Sequence, residues 1–190
     1  MTAIRYYRQS RVRNALYFSA YTFCRPGEVR GALWREVDFA RSEWRIPAER
    51  MRGNREHVVP LARQAVEVLE NERALLDGLG IVSDFVFPSE RSSARPMSEN
   101  MVRMAIRSMG FGADKMSAHG FRHMAGTILN ESGLWSADAI EVQLVHSSGG
   151  VREIYSQAKY VPERVRTMQW YADELDRLRD ECQLTPCRSI

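Results

Sequence analysis

Three short apolar runs fall between residues 37 and 60, and their spacing leaves little choice of pairing. Val37-Asp38-Phe39, Trp44-Arg45-Ile46 and His57-Val58-Val59-Pro60 read as strands, because β-branched and aromatic side chains concentrate there. Arg41-Ser42 turns the first pair and Gly53-Asn54 the second. Parallel neighbours need a crossover of a dozen or more residues, which these connections do not supply, so the runs pair antiparallel. The surrounding chain follows a helical period instead. Val12, Ala15, Leu16, Ser19/Ala20 and Phe23 make a stripe over residues 10–24, which Pro26-Gly27 breaks before a short helix from Glu28 to Leu33. Residues 62–77 place Ala65, Val68, Leu69, Leu75 and Leu76 inward, and Gly78-Leu79-Gly80 stops that helix. Ser98 is expected to cap a helix carrying Met101, Met104, Ala105 and Met109. Further helices are expected at about 119–132, 136–145, 151–159 and 163–180. The expectation is an α+β fold, a mostly helical domain over residues 1–180 with a small three-stranded antiparallel sheet and a tail at 181–190.

Composition excludes several classes. The 190 residues are 44% apolar, enough for one domain with its own core. No apolar run approaches membrane-spanning length, and the opening MTAIRYYRQSRVRN lacks a signal-peptide core. Cys24, Cys182 and Cys187 are too few for a disulfide framework, so a reducing cytosol is the expected compartment, and no Cys/His spacing reads as a zinc site. The net charge of +3 says little about partners, but its distribution says more. Arg5, Arg8, Arg11 and Arg13 crowd the start, and Arg45, Arg50, Arg52, Arg55 and Arg63 crowd the strand region, while Lys115 and Lys159 are the only lysines. Arginine forks onto phosphate oxygens where lysine acts as a point charge. A genomic preference for arginine codons explains the same bias equally well.

A few polar residues, far apart in sequence, carry the chemistry. Arg25 follows the break in the first long helix, with Glu28 three residues on to hold its guanidinium. A lone arginine near a turn is more often a solvated surface residue. His119 and Arg122 stand one turn apart in Ser117-Ala-His119-Gly-Phe-Arg122-His123, so an imidazole and a guanidinium share a face. Such a pair can move a proton and hold an anion, although polar residues opening a helix are common. His146 follows an apolar helix, where it can equally be a terminal cap. Tyr155 follows the flexible Ser147-Ser-Gly-Gly150, with Tyr160 and Tyr171 as rivals. A free phenol is ionised in only about one molecule in a thousand at neutral pH, so it becomes a nucleophile only with help from a base or cations.

Together these strings resemble the catalytic domain of the tyrosine recombinases, the phage and prophage integrases. Thr22-Phe-Cys-Arg25-Pro-Gly-Glu28-Val resembles their first arginine box. Ser117 to Glu131 resembles their HxxR box nearly residue for residue, and Val151-Arg-Glu-Ile-Tyr155-Ser-Gln-Ala158 their tyrosine segment. The resemblance covers about residues 9–178 and implies metal-free transesterification of DNA without any cofactor. In it Arg25 and Arg122 hold the scissile phosphate, His119 handles protons, His146 donates a hydrogen bond to the phosphate, and Tyr155 forms a 3′-phosphotyrosyl link. Glu28 braces Arg25. His123 stays outside the site.

One position departs from the pattern. The family carries a lysine on the β-hairpin to protonate the leaving 5′-oxygen, and Arg52 stands there. Arginine does not give up its proton in proteins, so Arg52 can stabilise charge but is a poor general acid. Arg55 and His57 are the nearby substitutes, His57 the better donor by its chemistry. The resemblance further implies duplex DNA as partner, a tetramer on DNA from a monomer in solution, a cytoplasmic site of action, and amino-terminal DNA-binding domains that this chain does not contain. Two other readings stay open at this point. One is a DNA-binding remnant that no longer cuts, and the other is a type IB topoisomerase-like enzyme that only relaxes DNA. The tail residues Met168, Trp170/Tyr171 and Leu175 form an apolar face that covers either the chain's own core or a neighbouring subunit.

Overall fold

A computed structural model describes residues 1–145 and 160–184 of the chain. The helix expected at 151–159, together with His146 and Tyr155, lies outside the described residues. The helices are α1 (Thr2–Arg5), α2 (Ser10–Thr22), α3 (Pro26–Arg30), α4 (Arg63–Gly78), α5 (Met101–Ser108), α6 (Gly120–Ser132), α7 (Ala137–Gln143) and α8 (Val161–Leu184). The strands are β1 (Val37–Asp38), β2 (Glu43–Ile46) and β3 (His57–Pro60), joined as one antiparallel sheet in the order β1-β2-β3. Ser42 and Asn54 take the positive φ values, 52° and 49°, that close the two connections.

Register decides what the sheet contributes. Trp44 faces Val59 and Ile46 faces His57. Side chains alternate across a strand, so Trp44, Ile46, Val59 and His57 share the inner face, and all four are buried. Helix α2 runs through the centre and packs on α1, α3, α4, α5, α6 and α8. Its Phe18 has no exposure and meets the Trp44 ring at 5.3 Å and the Phe87 ring at 5.7 Å. The Trp44 indole donates to Glu36 Oε2 at 3.0 Å, which satisfies the one polar atom of that buried side chain.

Two helix boundaries differ from the sequence expectation. The short helix after Pro26 ends at Arg30 rather than Leu33, which instead bridges to Phe85. Helix α5 begins at Met101 after an Asn100 that is already helical, and its amino-terminal groups receive no side-chain cap. Ser98 offers its main-chain carbonyl to the Met101 amide at 3.0 Å instead of its hydroxyl. Helix α4 has one surprise, since Glu72 occupies an inward position with no exposure.

Helix α8 packs part of the tail's apolar face within this chain. Met168, Tyr171, Ala172 and Leu175 are buried within this same chain. Tyr171 meets Phe23 edge-on at 5.1 Å, and Trp170 packs half-buried against Trp135 with ring centres 6.0 Å apart. Among the described residues no helix is long and apolar enough to cross a membrane.

Candidate phosphate-binding site

The carboxyl end of α2 builds the first wall. Phe23 takes the left-handed conformation at φ 41°, a position that a bulky residue occupies only when packing compels it. Its ring is fully buried against Tyr171, so the backbone must turn there, and the turn swings Arg25 out of the helix. Arg25 is extended, at φ −65° and ψ 145°, and Pro26 starts α3 directly behind it. Glu28 grips Arg25 twice. Its Oε2 accepts the Arg25 amide at 2.7 Å, and its Oε1 accepts Nη1 at 2.8 Å. Glu28 is 5% exposed, so this ion pair is a fixed brace. Arg25 Nη2 donates to the Val145 carbonyl at 3.2 Å.

Helix α6 supplies the second wall. Arg122 lies in its first turn, and Nη1 points at the Phe23 carbonyl at 3.5 Å. Its buried Nη2 has no hydrogen-bond partner and no carboxylate pairs with it among the described residues. Burial and the charge of Arg25 together hold the Arg122 guanidinium below the usual arginine range. Arg25 is thus neutralised by Glu28, while Arg122 beside it is not. A half-buried cation without a counter-charge is costly and marks a place for an anion. His119 is the residue preceding α6, exposed, and its carbonyl accepts the Arg122 amide at 3.0 Å.

The β2–β3 connection approaches from a third side. Arg50 donates through Nη2 to the Glu28 carbonyl at 2.6 Å and through Nη1 to Glu36, tying the base of the hairpin to the helix that braces Arg25. Gly31 makes room for this, since a Cβ there would stand 2.9 Å from Arg50 Nη2. Arg52 is exposed on the turn beyond.

His57 overturns its sequence expectation. It is 1% exposed, with its ring turned into the core. Burial drives its pKa down to about 3, and the guanidiniums of Arg164, Arg122 and Arg25 push the same way. A neutral ring facing the core cannot deliver a proton to a leaving group at neutral pH. The antiparallel register placed it opposite Ile46, on the inner face, and this is why proximity in sequence to Arg52 misleads.

Behind the site lies a residue that the sequence reading missed. Arg164 of α8 is 1% exposed. Its Nε and Nη2 both donate to Gln143 Oε1, at 2.9 and 2.6 Å, and Nη2 also reaches the Val58 carbonyl at 2.5 Å. The signal was present, since Arg164 stands in register with Met168, Tyr171 and Leu175 on the inward stripe of α8. Burial lowers its pKa to about 10. No cluster of three or more His, Cys, Asp and Glu side chains able to hold a metal occurs among the described residues. A cavity of about 690 Å³ between α2, α4 and α8 contains none of the candidate residues, and its Arg179 is paired with Asp176 at 2.8 Å.

The profile described as "Phage integrase family" matches residues 1–161. The prophage integrase IntS of Escherichia coli K12 is 44% identical over 157 residues, covering 82% of this chain and 40% of that protein. The integrase of enterobacteria phage P4 is 42% identical over 184 residues, covering 89% of this chain and 41% of that protein. This chain therefore spans less than half the length of the relatives it matches. Among solved structures, the integrase of mycobacterium phage Brujita superposes with a TM-score of 0.66 at 18% identity, over 88% of this chain and 54% of that one. XerA recombinase gives 0.52 at 21% identity, over 95% of this chain and 60% of that one, so the fold is shared well beyond sequence similarity. On the extent of the profile match and of these identities, the chain belongs to the phage integrase family.

Proposed function

We propose that the protein is a tyrosine-type site-specific recombinase that integrates or excises a mobile element. What supports this is the nearness of Arg122 to the turn that carries Arg25, with Arg25 braced by Glu28 and Arg122 left without a counter-charge among the described residues. A braced guanidinium beside one with an open donor suits a phosphodiester, whose non-bridging oxygens gain charge when a fifth oxygen attacks. In this reading the Tyr155 oxygen attacks phosphorus, the bond to the 5′-oxygen breaks, and a 3′-phosphotyrosyl link stores the bond energy without ATP. His119 takes the phenolic proton, His146 donates to the phosphate, Arg52 stabilises the leaving side by charge, and the departing 5′-oxygen takes its proton from solvent. The partner is duplex DNA. A tetramer formed from monomers on two DNA sites performs the exchange, in the cytoplasm or nucleoid. The integrase of transposon Tn1549, solved in complex with a circular intermediate DNA, shares the fold with a TM-score of 0.50 and supports DNA as the ligand.

The test is selection from a library of nicked attachment-site duplexes, with recovery of protein-linked ends. The expected result is a covalent adduct that Tyr155→Phe abolishes, followed by strand exchange between two marked duplexes. DNA binding with no adduct would refute the reading in favour of a non-cutting remnant. Relaxation without exchange would refute it in favour of a topoisomerase.

A further inference from the structure

Arg164 does something that none of the candidate catalytic groups does. It lies on α8, and it joins the carboxyl end of α7 to the middle of β3 through a single guanidinium. Both of its attachments lead directly to the phosphate pocket. Gln143 is the last residue of α7, and two residues later the Val145 carbonyl accepts Arg25 Nη2 at 3.2 Å. Val58 follows His57, whose buried ring lies within the electrostatic reach of both Arg122 and Arg25.

The local backbone shows that this arrangement is held against a preference. Val145 has φ 47°, in the left-handed region that a β-branched residue avoids. Such a conformation persists only where neighbours over-determine it. Val145 packs on the core, its amide donates to the Val142 carbonyl at 3.2 Å, its carbonyl accepts Arg25 Nη2, and two residues before it Gln143 is held by the Arg164 fork. A planar fork is suited to this, because it fixes Gln143 Oε1 with two donors and keeps a second bond for the Val58 carbonyl. Arg164 has no carboxylate partner among the described residues, so it is not a salt bridge that happens to lie nearby. Its charge is held in the core by neutral acceptors alone, an expensive arrangement.

We infer that Arg164 is a positioning residue for the phosphate pocket, acting through Gln143 to set the Val145 carbonyl, and with it Arg25, at the point where the scissile phosphate binds. The inference rests on the recombinase reading above. It assigns Arg164 and Gln143 no contact with DNA. Their loss is expected to leave binding nearly unchanged and to slow chemistry, since a misplacement of about 1 Å in a reacting assembly costs up to roughly a hundredfold in rate.

The experiment uses the duplex recovered in the selection described above, in suicide form, with purified protein. Single-turnover adduct formation at saturating DNA and the dissociation constant are measured for Arg164→Met, Gln143→Ala and the double variant. Each single variant is expected to form adduct about 10- to 100-fold more slowly, with affinity within about threefold of the parent. The double variant is expected to be no slower than the slower single one, because both changes break one connection. Arg164→Lys, which keeps the charge but not the fork, is expected to recover only part of the rate. Should Arg164→Met fail to fold, Gln143→Ala and Arg164→Lys carry the test. If the parent forms adduct and folded Gln143→Ala matches its rate, the inference is overturned while the recombinase reading stands. Additive losses in the double variant overturn it too. If the parent forms no adduct on any duplex, the recombinase reading fails and the inference falls with it.

Discussion

Replacing Glu72 by glutamine is expected to make the fold acid-sensitive in a range where the parent is nearly indifferent. Two buried groups titrate there with opposite sign. Glu72 has no exposure, accepts the Asn14 amide at 2.8 Å and has Arg11 Nε at 3.8 Å. Burial outweighs both partners and lifts its pKa from 4.5 to about 7. The folded state therefore binds a proton before the unfolded chain does, and stability rises as pH falls from about 7 towards 4.5. His57 behaves in reverse. Burial and the surrounding guanidiniums depress its pKa from 6.5 to about 3, so the unfolded chain binds the proton first and stability falls as pH drops through that interval. Integrated from pH 6.5 to about pH 5, each group shifts the unfolding free energy by about 1.5 kcal/mol, and the two shifts cancel. Glu72→Gln keeps the Asn14 acceptor and removes the titration, leaving the His57 loss exposed. Urea unfolding followed by circular dichroism at a series of pH values measures this. The variant is expected to lose about 1.5 kcal/mol over that interval relative to the parent profile. Parallel profiles for the two proteins would show that Glu72 is not held protonated, and the argument from its burial would be refuted.

Other expectations concern the site and its support. Arg52→Lys restores a side chain able to release a proton, so single-turnover cleavage of a nicked duplex is expected to rise at least tenfold; an unchanged rate would show that the leaving oxygen is protonated from elsewhere. Gly31→Ala places a Cβ 2.9 Å from Arg50 Nη2, and Arg50 must release the Glu28 carbonyl to make room. A loss of about 1 kcal/mol is expected by thermal unfolding, with slower cleavage as the Glu28 brace loosens. Trp44→Phe removes the indole donor from buried Glu36, and a loss of about 2–3 kcal/mol in chemical denaturation is expected.

The sheet and most helices were legible because local patterns decided them. The turn residues at Ser42 and Asn54 and the stripes of α2 and α4 required no knowledge of tertiary neighbours. Arg25 with Glu28 was legible for the same reason, being an interaction over three residues. What escaped depended on contacts distant in sequence. His57 looked like a proton donor until pairing with Ile46 turned it into the core. Phe23 gave no local sign of a left-handed backbone, because the cause is Tyr171, on the last described helix. Arg164 reads as a surface charge on a polar helix, and only its phase relative to Met168 and Tyr171 marks it as inward.

The contact between Phe23 and Tyr171 also bears on how the protein is made. The turn that carries Arg25 packs against a ring about 150 residues later in the sequence, so this support is missing until Tyr171 has been synthesised. Translation covers the intervening stretch of about 150 residues in roughly 8–30 s at ordinary rates. Throughout that time the nascent chain carries the Phe23 segment without its partner. The turn that carries Arg25 can therefore reach its final packing only after Tyr171 has been made, so a chain interrupted before that residue holds Arg25 less firmly.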